Sequence, residues 1–563
     1  MTRRFAFGYV PGGGAPDAAV AELRARAPTI ASDTAASWHD RLVWAAFPGL
    51  ARAGAVQREL AWAAYNVLAN ATFDEYRGVR VMGQGGSYKY IHGLDGAMGD
   101  LAIFADALDW LDPALARETL LYTLASQHAG TDVTPWRYPY ATTGVGSFND
   151  VGIYGQRSDA YYLVPSSVGR YVAATRDASI LDERVPYWPE SAGATGTVLE
   201  HLDRGLDYGT GTLGIGARGI VAMGTGDYAD GIASLATEPA TPTGTSSTYD
   251  AGFIVTGFPL AADVVRSRDV PLADRMRALA ASQATALTTE AWEGRWFYRG
   301  FVDSGNPLAP ELLFLEPQLF PMLAGLVDSA RRDVLLDAIT TYLETPIGAA
   351  STVPIDATGP VGGVDRPQIA GIWPVANAWL TEAYSLRDAG QAWSSFTRNT
   401  LATHADAYPD VWYGIWTGPD SFNGPGSARP GEADAHLATA LTDYPALNAH
   451  AHTSPLRALA GILGISGTVA GLRIEPRVPT ETFAVVLPRL TLRSAPDEIS
   501  GSVTASASET LQMHVSLPTG LRAGPLVVRV DGSVVAHVAV PGAVEFPLDA
   551  RVDAPVTWRV APP

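Results

Sequence analysis

The residues most able to do chemistry stand in one short loop, Gly226-Asp227-Tyr228-Ala229-Asp230-Gly231. Two carboxylates three positions apart, flanked by glycine and separated by an aromatic ring, suit glycoside cleavage. That reaction needs one protonated carboxyl as general acid and a second carboxylate to support the nucleophile. The same six residues also read as an Asp/Gly turn whose carboxylates cap backbone amides, and both readings stand at this stage. Other aromatic and acidic residues gather in segments poor in helical pattern, 138–154, 221–249, 292–316 and 408–452. The chain carries 14 Trp and 22 Tyr. Rings of this kind stack on sugar faces, although aromatic residues equally fill cores. His450 and His452 are spaced i, i+2 and raise the question of a metal, but no third ligand stands at a suitable spacing. Sugar contacts or hydrogen bonds at a helix start suit them better.

Other chemistries are excluded by residue type. The chain has no Cys, which removes disulfides, thiolate metal sites and a cysteine nucleophile. Gly83-Gln84-Gly85-Gly86-Ser87 lacks the Lys-Ser/Thr pair of a phosphate loop. Neither a G-x-S-x-G elbow nor an H-E-x-x-H helix occurs, so no cofactor and no metal is expected. With 39 Lys and Arg against 58 Asp and Glu, the formal net charge is −19. A surface this acidic repels phosphate backbones and anionic lipid, so neither nucleic acid nor membrane is expected as a partner.

The elements that must position these loops are mostly helical. Hydrophobic residues make up 47% and charged residues 17% of the 563, a composition that forms cores. Apolar spacing predicts a helical stretch over 15–50. Helices are then predicted over 56–69, 97–110, 113–127, 160–175, 197–206, 253–266, 272–288, 317–326, 333–343, 376–389 and 455–463. Asp112-Pro113 is a start signal of cap and first-turn proline. About twelve helices joined by alternately short and long loops suggest six helical hairpins closed into a ring, with the acidic, aromatic loops at one end. After residue 467 the hydrophobic period changes to two, with turns such as Asp531-Gly532, which predicts a small β-sandwich. The expected organisation is a strand and linker helix over 1–50, a helical catalytic domain over 51–466 and an all-β domain over 467–563.

These motifs together resemble the cellobiose phosphorylase family of inverting glycoside enzymes. The loop 226–231 resembles its G-D-W-N-D-G. Ser158-Asp159-Ala160-Tyr161-Tyr162-Leu163 and Ala178-Ser179-Ile180-Leu181-Asp182-Glu183 resemble its S-D-D-x-L-W and S-I-L-D-E. Trp296-Phe297-Tyr298-Arg299 with Glu316-Pro317-Gln318 resembles W-Y-x-R and D-P-Q. Gly371-Ile372-Trp373-Pro374-Val375-Ala376-Asn377 resembles G-I-Y-N-H-A-N, and Leu463-Gly464-Ile465 through Pro476 resembles the passage into a C-terminal β domain. The resemblance implies a mainly α fold, an (α/α)6 barrel followed by a β domain. It also implies an N-terminal sandwich, of which Arg4–Val10 reads as a remnant strand, its remainder lost or carried on a separate partner chain. A homo-oligomer is the other partner considered. The apolar run after Met1 is too short for a signal-peptide core, so the expected location is cytoplasmic.

By the same resemblance Asp230 is the general acid, Asp227 orients the loop and Tyr228 lines the sugar site. Asp95 is a sugar ligand, and Trp373, Trp416, Gln318, His450 and His452 complete the contacts. Leu94 and Val375 stand where the family holds a phosphate-binding Arg and His, and Thr453-Ser454 where it holds T-G. Loss of those cations turns the expectation toward water as nucleophile, hence an inverting hydrolase with a carbohydrate substrate. Its base is then sought among Asp420, Glu432, Asp434 and Asp443, with Glu432 favoured over Asp420. A phosphorylase with a rebuilt phosphate site and an inactive carbohydrate-binding remnant are the competing expectations.

Overall fold

The computed structural model describes residues 16–74, 77–83, 98–129, 140–141, 148–149, 157–188, 192–229, 232–235, 244–354, 371–411, 417–425, 427, 429–432 and 448–563. Arg4–Val10 lies outside them. Fifteen α-helices occur among the described residues: α1 Pro16–Arg26, α2 Ile30–His39, α3 Ala53–Ala69, α4 Met98–Leu108, α5 Pro113–Ala125, α6 Ala160–Thr175, α7 Val198–Asp207, α8 Thr248–Val265, α9 Val270–Ala286, α10 Glu316–Leu323, α11 Ser329–Ala338, α12 Pro374–Ser385, α13 Ala389–Arg398, α14 Leu401–Ala407 and α15 Ala449–Ile462.

Two classes of helix alternate. In α6 every residue but Arg170 is buried, and α8 and α12 are buried nearly all round, the pattern of helices inside a domain. These inner helices touch in cyclic order, α4 to α6, α8, α10, α12, α15 and back to α4. Helices α3, α5, α7, α9 and α13 pack outside them. Helices α5, α9, α11 and α13 start with side-chain caps: Asp112 accepts from Leu115 N, Asp269 from Leu272 N, Asp328 from Arg331 N and Asp388 from Gln391 N, while Thr197 and Glu200 form a capping box at α7 and α3 starts at Arg52 without a side-chain cap. Such caps satisfy amides that no preceding turn reaches. The first turns of the inner helices hold the acidic residues instead, including Asp100, Asp250 and Glu316.

Every two-stranded ladder in the helical part is antiparallel. The C-terminal part is two sheets. One runs Trp44–Ala46, Phe483–Leu487, Leu490–Ala495, Glu498–Val503, Val556–Ala561, Val527–Val530, Ser533–Val534; the other runs Ile465–Gly467, Gly471–Ile474, Glu509–Ser516, Ala543–Ala550, Val538–Val540. Their facing residues, among them Leu492, Val503, Met513, Phe546 and Trp558, join the main core.

Three helix expectations need correction. The stretch predicted helical over 15–50 contains the strand Trp44–Ala46, which pairs antiparallel with Ala484–Val486 of the sandwich. The helix predicted over 376–389 ends at Ser385, because Asp388 caps a new one. Helices α13 and α14 fall where no helix was predicted. Among the described residues no helix is long and apolar enough to cross a membrane.

Candidate active site

The loop that carries Asp227 folds under the start of α8. Asp227 has no exposed surface, and its two oxygens face the two terminal nitrogens of Arg299 at 2.7 Å each. Ser247 Oγ donates to Oδ2 at 2.5 Å and Ala229 N donates to Oδ1 at 3.0 Å. Arg157 donates to the Asp227 carbonyl. The geometry is that of a bidentate charge-assisted pair. Burial alone works against the Arg299 cation, but Asp227 and then Glu316 outweigh it and hold the guanidinium charged. With every oxygen engaged, Asp227 is built to shape the turn that leads into position 230 and not to donate a proton. Asp230 itself lies outside the described residues, as do Asp95, Leu94, Trp416, Asp434 and Asp443.

Beneath this pair lie other acids. Asp250 is fully buried, accepts from Ser158 Oγ, and is pushed well above the usual carboxylate range by burial first and by the Asp227 charge second. Glu316 is raised to about 7 by burial, against the opposing pull of Arg299. The Arg299 guanidinium also stands 5.3 Å over the Tyr249 ring. A buried cluster of one cation and three acids thus stays near neutrality by keeping part of its carboxyls protonated.

Tyr228 points the other way, into the ring of inner helices. Its hydroxyl donates to Asp100 Oδ1 at 2.7 Å and lies 2.8 Å from His450 Nε2; the same nitrogen is 2.9 Å from Asp100 Oδ1. Three elements, the loop, α4 and α15, therefore meet at one carboxylate oxygen. Burial lowers the proton affinity of His450, but Asp100 and Asp420 more than offset it and leave its pKa above the usual imidazole value. Burial drives the Tyr228 hydroxyl well above the usual phenol range, with Asp100 and Asp420 adding to the rise. Asp420 is thus one of the charges that raise both. The Tyr228 ring meets Tyr249, Phe253 and Trp379 edge-on at centroid distances of 6.0, 6.0 and 6.3 Å.

The remaining expected contacts divide. His452 accepts from or donates to Thr417 Oγ1 at 3.1 Å, and burial lowers it to about 3, so it stays neutral. Trp373 is half-buried at the start of α12 and its carbonyl accepts from Asn377. Gln318 is turned inward. Its amide donates to the Phe297 and Phe314 carbonyls and accepts from Phe297 N, and its side chain is sealed. It clamps the segment before Arg299 and has no donor left for a sugar. Glu432 pairs with Arg429 in a turn whose Gly431 carbonyl meets His404 of α14. Thr453 donates to the Ala449 carbonyl within its own helix, and Val375 is apolar and 2% exposed. Among the described residues no group of three or more His, Cys, Asp or Glu is placed to hold a metal ion.

Sequence reasoning named no role for Arg299, Asp250, Glu316, Asp100 or Ser247. A signal existed for Asp100: an acid in the first turn of a helix whose residues are apolar but for it and Asp106. Arg299 had none beyond its place in a motif, because its partner lies 72 residues away.

The inner helices α4, α8 and α10 thus bring carboxyls in their first turns toward the aromatic rings around Tyr228. The chain belongs to the Glycosyl hydrolase 94 superfamily, whose catalytic-domain model matches residues 88–407. It is 24% identical over 462 residues to the 3-O-beta-D-glucopyranosyl-beta-D-glucuronide phosphorylase of Paenibacillus borealis, covering 77% of this chain and 54% of that one. It is 27% identical over 248 residues to the solabiose phosphorylase of the same organism, covering 43% and 30%. It is 26% identical over 367 residues to the cyclic beta-(1,2)-glucan synthase NdvB of Rhizobium meliloti (strain 1021), covering 59% and 12%. The chain thus spans about half the length of the first of these relatives and less of the others.

Proposed function

We propose that this chain cleaves a glycoside with inversion, in an (α/α)6 barrel spanning about residues 51–466, with water as the nucleophile. Asp230 is the general acid, and Asp420, in place of Glu432, is the base. The observation that carries the assignment is the electrostatic reach of Asp420 onto Tyr228 and His450. Tyr228 stands two positions before Asp230 in the sequence and bonds to His450, and Asp420 raises the pKa of both. Glu432 pairs instead with Arg429. An inverting pair stands about 6.5–9.5 Å apart, leaving room for one water. Water is favoured over phosphate because the residue at 375 is a buried valine, and a phosphate dianion needs cationic or N–H donors.

A second reading, phosphorolysis, is favoured by the named relatives, which include two phosphorylases. A screen of disaccharides with and without orthophosphate separates the two. The expected result is turnover in phosphate-free buffer and no sugar 1-phosphate; strict phosphate dependence establishes phosphorolysis instead. Asp230→Asn should then lose roughly two to four decades of rate on an unactivated glycoside, and less on an aryl glycoside whose leaving group needs no proton. Asp420→Asn should lose turnover on both, with partial rescue by azide, while Glu432→Gln stays active. An inactive Glu432→Gln of native fold would return the base to Glu432.

A further inference from the structure

The inner helices enclose a second polar site at the end opposite the acid loop. Asp106, Asp109, Leu163, Arg170, Phe253, Phe320, Trp379, Glu382, Arg457 and Ser466 are among the residues that line a cavity of about 280 Å³. Its depth follows from helix geometry. Asp100 lies in the first turn of α4, and Asp106 is six residues on, roughly 9 Å along the axis at 1.5 Å per residue. Seven residues, roughly 10.5 Å, separate His450 from Arg457 on α15. Between the two levels lies a layer of rings, Phe253, Phe320 and Trp379, with centroids 4.9, 5.1 and 5.8 Å apart. That layer closes the upper site below Tyr228 and roofs the lower cavity, whose far wall is Val43, Ile465–Gly467 and Leu487.

The polar groups of the lower cavity are arranged around one carboxylate. Arg170 Nε stands 2.8 Å and Arg457 Nη1 3.1 Å from Asp106 Oδ2. The other oxygen, Asp106 Oδ1, and Asp109 Oδ1 are buried and have no hydrogen-bond partner among the described residues. Both side chains are 4% exposed or less by side chain or residue. Buried polar atoms without partners are uncommon, and each calls for an explanation. The Arg457 guanidinium also lies 5.5 Å over the Trp379 ring. Burial and the Asp106 charge push the Asp109 carboxyl well above its usual range. Two guanidinium groups, Arg170 and Arg457, face three carboxyl groups, Asp106, Asp109 and Glu382, so the cavity holds no excess of cations.

We infer that this cavity is a second binding site, for a neutral polyhydroxylated ligand the size of one sugar ring. Fixed donors and unpartnered carboxylate oxygens side by side match the adjacent hydroxyls of such a ring. Carboxyls at least as numerous as guanidinium groups disfavour a phosphate or other multivalent anion, which needs an excess of donors. The site is separate from the proposed catalytic carboxyls, so its occupancy does not depend on the reaction assigned above.

The test uses the full chain. Crystals soaked with D-glucose, N-acetylglucosamine or myo-inositol should show a ring within hydrogen-bond distance of Asp106 Oδ1 and Asp109 Oδ1. In solution, saturation-transfer NMR with the same three probes should report binding. Ala460→Phe, which fills the cavity mouth from α15, should remove that lower-site density while leaving turnover unchanged. Asp106→Leu should also remove it. Inorganic phosphate serves as the anion probe. Density for water alone with all three polyols overturns the proposal, as does phosphate binding where polyols do not. If Ala460→Phe fails to fold, the wild-type soaks decide.

Discussion

Glu59 shows at the scale of one residue how burial becomes pH dependence. It lies in α3 and accepts from Leu401 N at 2.5 Å and Ala402 N at 3.0 Å, so it caps α14 from a distant helix. Burial raises its pKa from 4.5 to about 7, against the pull of those two amides and of Arg52. Between those values the native state keeps a proton that the unfolded chain has released. Stability therefore falls as pH rises through that window, by about 1.4 kcal/mol per unit for one proton. Glu59→Gln removes the titration but sets an Nε2 donor against one of the two amides, a fixed cost at every pH. The stability difference between variant and wild type should therefore move in the variant's favour by up to about 3 kcal/mol from about pH 5 to about pH 7.5. Urea midpoints at the two pH values check this, and a gap that does not change with pH refutes it. Nothing in the sequence marked Glu59, because a cap supplied across more than three hundred positions leaves no local pattern. Asp227 was different: its loop was legible as chemistry, and what could not be read was that Arg299 would bind both its oxygens, leaving it to position the loop.

Among elements, the inner helices were the most legible part of the fold, because a helix buried all round leaves long apolar runs. What the pattern could not give was how closely α6 and α8 approach. A Cβ on Gly257 would stand 2.0 Å from Ser166 Oγ, and one on Gly169 would stand 2.7 Å from the Ala261 Cα. In an open helix interior, Gly→Ala stabilises by about 1 kcal/mol. Here the added methyl has no space, and overpacking costs about 1–3 kcal/mol or more where the clash is with backbone. Gly257→Ala and Gly169→Ala should each lower the thermal midpoint, Gly169→Ala the more because Ala261 cannot rotate away. Gly54→Ala, in the exposed first turn of α3 with its nearest neighbour Arg58 Nη1 at 3.7 Å, should not. A rise in midpoint for the two buried positions would mean that the helices can part without loss. The strand Trp44–Ala46 was illegible for the opposite reason: three residues are too few to show a period, and its partner lies in the distant C-terminal sheet.

The two parts of the molecule unfold together or apart according to a few contacts at the end of the helical ring, and Arg176 is the densest of them. It ends α6 with φ of +70°, a left-handed conformation that suits glycine. Its side chain holds the Ala173 carbonyl at 2.9 Å, reaches the Thr468 and Val469 carbonyls of the sandwich at 2.6 and 2.8 Å, and pairs with Glu509. Nearby, Ser506 N donates to the Thr175 carbonyl at 2.8 Å and Arg489 N to the Trp110 carbonyl at 3.2 Å. Backbone preference and side-chain bonding therefore pull in opposite directions at one position. Glycine would relieve roughly 1–2 kcal/mol of left-handed strain. It would also forfeit charge-assisted bonds worth about 1.5–3 kcal/mol each and leave two carbonyls short of a donor. The bonds outweigh the strain, so Arg176→Gly should be the less stable protein, with Arg176→Ala, which keeps the strain and loses the bonds, lower still. Calorimetry should show one transition in wild type and, in both variants, a sandwich transition that separates from the helical one. If Arg176→Gly melts at the wild-type midpoint in a single step, the junction rests on the apolar contacts of Phe47 with Trp393 and Phe483, and the arginine is incidental to it.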